Sequence, residues 1–300
     1  MRLAAVVLVA SCSLACSIKG LVVESVGKGL ASSGVFASEE DYDLARDAAP
    51  FGLKTMEALH NEAPDDVDIL VGLASGFTEF ANAFVAQEAD RLADTSLEAA
   101  QVQRARARRF YLRARQYGFR GLEVRHPGFV AALKSTPEAA LKQLEKNDVA
   151  LTYWTGAAWA SAASVDKSDL SLLGDLPLVE ILMKRALELD EGFDHGAIHE
   201  FFVALDAARP ASMGGSVERA RTHLDRALAL SEHGKIGVFV TWAEDVCVQL
   251  QDKKCFEEYL GRALGFDLDK NPQYRLANVV AQRRAKWLKS RSKDLFISED

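Results

Sequence analysis

Apolar residues recur at spacings of three and four along most of the chain, the mark of helices with one buried face. From Pro177, the segment PLVEILMKRALELD sets Leu178, Ile181, Leu182, Ala186 and Leu189 on a single stripe. Pro177 suits a first helical turn and Gly192 suits the stop. VERARTHLDRALALS repeats the pattern with Val217, Ala220, Leu224, Ala227 and Leu228, behind Ser216 as an N-cap. KKCFEEYLGRALGFD supplies a third stripe through Phe256, Leu260, Ala263 and Leu264. Alternation of the strand type, bounded by turn residues, is hard to find anywhere. The pattern predicts an all-α fold.

The three segments also resemble one another. RALELDEG, RALALSEH and RALGFDLD share an Arg-Ala-Leu core whose alanines, Ala186, Ala227 and Ala263, fall 41 and 36 residues apart. That spacing is close to the ~34-residue period of tetratricopeptide repeats. YLRARQYGFRG places Ala114 72 residues before Ala186, as a diverged earlier copy would, and MEALHNEAPDDVDIL around Ala58 ends in a similar turn. The expected architecture is an α-solenoid of about four tetratricopeptide-like helical hairpins. One hairpin cannot cover its own apolar stripe, so stacked neighbours do so and leave a concave face for a partner. Residues 41–300 read as one such domain.

The N-terminus departs from the helical pattern. Arg2 precedes the short apolar run Leu3 to Ala10, and small residues with two cysteines follow in SCSLACS. Spanning a bilayer takes about 20 apolar residues, so the run fits a secretory signal instead. A cysteine behind such a run matches a bacterial lipobox, and both Cys12 and Cys16 satisfy the pattern; a plain cleaved signal is the alternative. Cleavage before Cys16 makes residues 1–15 a signal peptide and 16–40 a tether with a first helix. No other stretch reads as a spanning helix.

Composition narrows the function classes. The formal charge is −7, and removing residues 1–15 takes away only Arg2, leaving −8. Nucleic-acid binding relies on clustered cations, so that class is excluded. The basic run Arg104 to Arg115 is interleaved with Ala107, Phe110, Leu112 and Ala114, and reads as a solvated helix face. An acidic body will not adhere to anionic lipid by itself, so membrane attachment rests on acyl chains, which need to be more than one.

Candidate chemistry is sparse. His195 and His199 share a helix face at a spacing metals use, but HExxH and a third ligand are absent. Asp194 reads as a cap for the helix that follows. No metal, cofactor or catalytic residue is assigned, because no P-loop, nucleophile elbow or dinucleotide fingerprint occurs. Tyr153, Trp154 and Trp159, in LTYWTGAAWASAAS, can fill a core or line a ligand cavity. Arg120, Arg125 and His126, in the loop-like FRGLEVRHPGF, can hold a partner carboxylate or pair with acids nearby. Cys247 and Cys255 flank an apparent helix junction, where a bridge and two free thiols are both compatible with the sequence.

Taken in order, RDAAPFGLKTMEAL, SGFTEFANAFV, YLRARQYGFRGLEVRHPGF, LTYWTGAAWASAAS, DLPLVEILMKRALELDEGFDHGAIHEFF, MGGSVERARTHLDRALALS and RLANVVAQRRAKWLKSRSKDLF resemble the TRAP transporter T-component family. The resemblance runs from about the lipobox to the C-terminus. Members begin their mature chains with Cys-Ser-Ile, which Cys16-Ser17-Ile18 matches and which favours Cys16 over Cys12. The resemblance implies a periplasmic lipoprotein, homotrimeric, that associates with the substrate-binding P-component of a TRAP-type transporter and handles an apolar ligand. Ser17 is not an acidic retention signal, which favours the outer membrane. A general tetratricopeptide lipoprotein scaffold for envelope assembly is the alternative. The family does not require the Cys247 and Cys255 pair.

Overall fold

The computed structural model describes residues 34–297, so the expected signal peptide, the expected lipidation site Cys16 and most of the expected tether lie outside the described residues. No strand occurs among the described residues, and the fold is all-α.

Helix α1 (Tyr42–Glu62) is capped by Asp41, whose carboxylate accepts from the Asp43 and Leu44 amides. Asp66 caps α2, a continuous 26-residue helix over Val67–Leu92 whose middle, Ala81–Ala86, winds as a wider π turn. By length and apolarity α2 is able to cross a membrane, contrary to the sequence expectation, but neighbours bury 56% of its apolar window. It is a core helix because its Leu70, Leu73 and Phe77 are covered by packed protein. Helix α3 (Leu97–Arg125) follows behind the Ser96 cap, and the short helices α4 (Phe129–Ser135) and α5 (Pro137–Lys142) lead to α6 (Val149–Val165). The stretch read as a loop at Arg120 and Arg125 is therefore the end of a long helix.

Helix α7 (Leu170–Gly174) precedes α8 (Leu176–Leu189), in which Pro177 occupies the first turn as expected. Helices α9 (Ala197–Ala208) and α10 (Val217–Leu230) form the next hairpin, and the Ser216 hydroxyl accepts from the Arg219 amide at 3.2 Å. Helix α11 begins at Gly237–Thr241 and continues through a π turn at Trp242–Cys247; α12 (Lys253–Leu264), α13 (Arg275–Ser290) and α14 (Ser292–Leu295) complete the chain.

Packing follows chain order: α1 on α2, α2 on α3, α3 on α6, α6 on α8, α9 on α10 and α12 on α13. Small residues bring the central pair together. A Cβ on Gly118 of α3 would lie 2.1 Å from Thr155 Oγ1 of α6, so only glycine fits that crossing. Buried apolar residues form two clusters, one on α1 to α9 and one on α9 to α13, and they meet on α9 at Phe202 and Val203.

The far sides of the clusters also meet, which an open solenoid does not provide for. The α13 end returns to α1 and α2: the Leu276 amide donates to the Ala37 carbonyl at 3.0 Å, and the Arg283 guanidinium stacks 3.9 Å from the Tyr42 ring centre. Arg284 pairs with Asp90 at 2.9 Å, and Trp287 Nε1 donates to Asp94 Oδ2 at 3.0 Å. The array closes through a polar, charged seam opposite the apolar hinge on α9.

Candidate functional site

Polar side chains from distant parts of the chain lie near enough to influence one another's charge. Glu79 interrupts an otherwise uncharged run of α2 from Ile69 to Ala86, two residues before the π turn widens the helix. The residue is exposed to solvent, although many protein atoms lie around its carboxyl. Burial in that setting raises its carboxyl to about 7, with Asp194 adding to the effect and Lys235 opposing it. Glu200 on α9 is raised as well, chiefly by burial, and its Oε1 is sealed from solvent without a hydrogen-bond partner. The Tyr153 hydroxyl is enclosed too, and burial together with Glu200, Asp194 and Glu79 raises it well above its ordinary value.

Lys235 is the cation of this group. Its ammonium donates to the Asp194 carbonyl at 2.7 Å and to Asp194 Oδ2 at 3.0 Å. Burial opposes its charge, but Glu200 and Asp194 more than offset that and hold it above the usual lysine value. Asp194 does not cap α9, as the sequence suggested. It and His195 adopt left-handed backbone, φ 42° and 54°, before Gly196 at φ 94°. Only glycine suits position 196, where a Cβ would also sit 3.1 Å from Ala227 Cα. The turn lifts Asp194 toward Lys235 and sets His195 against Tyr274, ring centres 5.3 Å apart.

A second polar group lies at the seam around Arg284. Asp245, in the π turn of α11, is raised to about 7 by burial and by Glu244, with Arg284 and Lys167 opposing. Arg284 bridges Glu244 and Asp90 and stays charged because those carboxylates outweigh its burial.

The residues singled out in the sequence separate into three groups. Trp159 is 1% exposed and packs edge-on against Phe119, so it fills the core. Tyr153 and Trp154 are half-buried, and Tyr153 faces Phe193 at 5.2 Å. Arg125 and His126 pair within the chain: Arg125 Nη1 donates to Asp148 Oδ1 at 3.1 Å, and His126 Nε2 lies 2.8 Å from Asp148 Oδ2. The physical reason is that Asp148 is 2% exposed, and a carboxylate buried to that degree requires partners. Arg120 likewise pairs with Asp65. Arginines of the basic run pair with acids on neighbouring elements, Arg104 with Asp90 and Arg108 with Asp166, instead of facing only solvent.

The histidine pair expected on one face is also separated. His199 turns to His223, their Nδ1 atoms 2.7 Å apart, while its Nε2 meets Glu191 Oε1 at 3.2 Å. No group of three metal-ligating side chains occurs among the described residues. Cys247 and Cys255 are joined as a disulfide with Cα atoms 5.6 Å apart, between the π turn of α11 and the first turn of α12.

Sequence reasoning missed Glu79, Glu200 and Lys235. The one available signal was Glu79 itself, a lone charge in a long apolar run.

The described residues define an all-α body in which α13 returns to α1 and α2. The family model described as TRAP transporter T-component matches residues 38–296, and the chain belongs to that family. It is therefore an accessory component of TRAP-type transport, an envelope-associated role. It is also similar to a protein of Treponema pallidum (strain Nichols) described as uncharacterized, 29% identical over 309 residues that cover 96% of each chain.

Proposed function

We propose that the protein is a periplasmic lipoprotein, anchored through acylated Cys16 in the outer membrane, that assembles as a homotrimer. It docks the substrate-binding P-component of its transporter and passes a ligand with apolar character through its interior. It acts as a scaffold and conduit and catalyses no reaction. Family membership over residues 38–296 is the observation that carries this reading. The return of α13 to α1 and α2 is compatible with a conduit, since it brings the two ends of the array together. Exposed Leu44 and Phe51, seven residues apart on one face of α1, support an apolar docking surface on the outside.

Pull-down of the purified P-component by this protein at micromolar concentration tests the reading. Association in either ligand state is expected, and no association in both would overturn it. Sedimentation separately distinguishes the trimer from the monomer that a general envelope scaffold would give.

A further inference from the structure

A cavity of about 310 Å³ opens at the surface where α10, α11 and α12 meet. Its size lies at the low end of ligand pockets, which run from about 300 to 1,000 Å³. Trp242 of the α11 π turn and Tyr259 of α12, each 5% exposed, supply aromatic walls with ring centres 5.8 Å apart. Arginines stand over both rings: the Arg221 guanidinium is 5.5 Å from the Trp242 centre, and that of Arg262 is 5.0 Å from the Tyr259 centre. Arg221 Nη1 also donates to the Tyr259 hydroxyl at 2.5 Å. The Cys247–Cys255 bridge ties the first turn of α12 to the π turn, and Cys255 belongs to the cavity wall.

Donors outnumber free acceptors around it. Arg221, Lys254 and Arg262 line the cavity together with Asp252 and Glu258. Asp252 commits its carboxylate to the Cys255 amide as the cap of α12. Glu258 meets Arg262 at 2.6 Å and Asp225 meets Arg221 at 3.3 Å, but both are half-exposed pairs one helical turn apart. Pairs of that kind hold weakly, so an incoming anion can share or replace either acid. Lys254 has no ion pair among the described residues, and the Trp242 N–H, sealed from solvent, meets no acceptor. A guanidinium held at a ring face still offers a fork of N–H donors that matches a planar carboxylate. A ligand cation would compete with Arg221 and Arg262 for the rings, and a neutral ligand would cover the cations without giving them an acceptor.

We infer that this cavity binds a small free carboxylic acid as its anion, the carboxylate held by Arg221, Arg262 and Lys254 and a compact apolar body set against Trp242 and Tyr259. The site belongs to α10, α11 and α12, whereas the proposed docking surface is on α1, so the inference goes beyond the proposed function and does not depend on it. A partner protein would present the same group on an acidic side chain. The aromatic walls favour the free acid, because its body fills the space that a glutamate stem leaves open.

The test is isothermal titration of the full chain with phenylacetate, compared with 2-phenylethanol, phenethylamine, inorganic phosphate and N-acetylglutamic acid α-amide. Expected are one saturable phenylacetate site per chain, weakened by added salt, and weaker or no binding of the other four. Arg221→Gln and Arg262→Gln should each weaken phenylacetate about fivefold or more, with circular dichroism checking that each variant is folded. Arg262→Lys keeps the charge without the fork and should recover only part of that loss, while Arg120→Gln on α3 should leave binding unchanged. Equally tight binding of any comparison probe, no saturable phenylacetate site at millimolar concentration, or unchanged binding in either folded Arg→Gln variant of the cavity would each overturn the inference. The titration contains no P-component, so its failure leaves the pull-down result standing, and the converse holds as well.

Discussion

Replacing Gly118 by alanine tests whether close contact of α3 with α6 organises the first half of the molecule. The added Cβ would lie 2.1 Å from Thr155 Oγ1, 3.1 Å from Thr155 Cβ and 3.3 Å from Thr155 Cα. Rotating the threonine relieves only the first contact, and breaks its 2.6 Å bond to the Leu151 carbonyl. The other two involve the branch point and the backbone, so the helices must separate. Overpacking of this kind costs about 1–3 kcal/mol, and the lost hydroxyl bond about 1 more. Against this, alanine is a better helix former than glycine by about 1 kcal/mol. The net expectation is a loss of about 2 kcal/mol, or some 4–8 °C in Tm at roughly 2–4 °C per kcal/mol.

Gly261→Ala is the internal standard. It too lies in a helix, with nothing within 4 Å of the added Cβ, and should stabilise by about 0.5–1 kcal/mol. Urea denaturation of both variants followed by circular dichroism gives the comparison. Thr155→Ala should recover part of the Gly118→Ala loss, because it removes the nearest atom. If Gly118→Ala were as stable as Gly261→Ala, the close crossing of α3 and α6 would be wrong.

Three further outcomes are expected. Replacing Cys247 and Cys255 by alanine opens a bridge between residues eight apart and should cost about 2.5 kcal/mol on the loop-entropy scale, read as a lower denaturation midpoint that reductant no longer changes. Burial holds His199 and His223 below 6.5, so the pair's contribution is present above that pH and is lost as pH falls through their folded values. Glu79 and Asp245, raised to about 7, act in the opposite direction over the same range. The readout is therefore the difference between the parent and His223→Gln between pH 5 and 7: the variant should lose less stability on acidification, and equal slopes would discount the pair. Arg284→Ala leaves Asp90 and Glu244 without their shared cation and should weaken the seam by about 2 kcal/mol, less than for a fully buried pair. Faster amide exchange in α13 and at the start of α1 would report it, whereas unchanged exchange would mean that other contacts close the array.

The helices and several of their ends were legible because those signals are local. The stripes of α8, α10 and α12 and the Ser216 cap come from residues within a few turns of each other. Closure was not legible, since Trp287 and Asp94 are 193 positions apart and neither carries a mark of the other. The Arg125 and His126 group looked available because Asp148, 22 and 23 positions on, gave no sign that it would be buried. Asp194 looked like a cap because Ser, Thr, Asp and Asn before a helix usually are caps. Its left-handed backbone follows from Gly196 packing on Ala227, a tertiary constraint.

The central claim is that this body serves a TRAP-type transporter by engaging its periplasmic binding protein. The most direct measurement is pull-down of the cognate P-component by the purified protein at micromolar concentration, with and without transported ligand. The account predicts specific association in at least one of those states. Absence of association in both would contradict it.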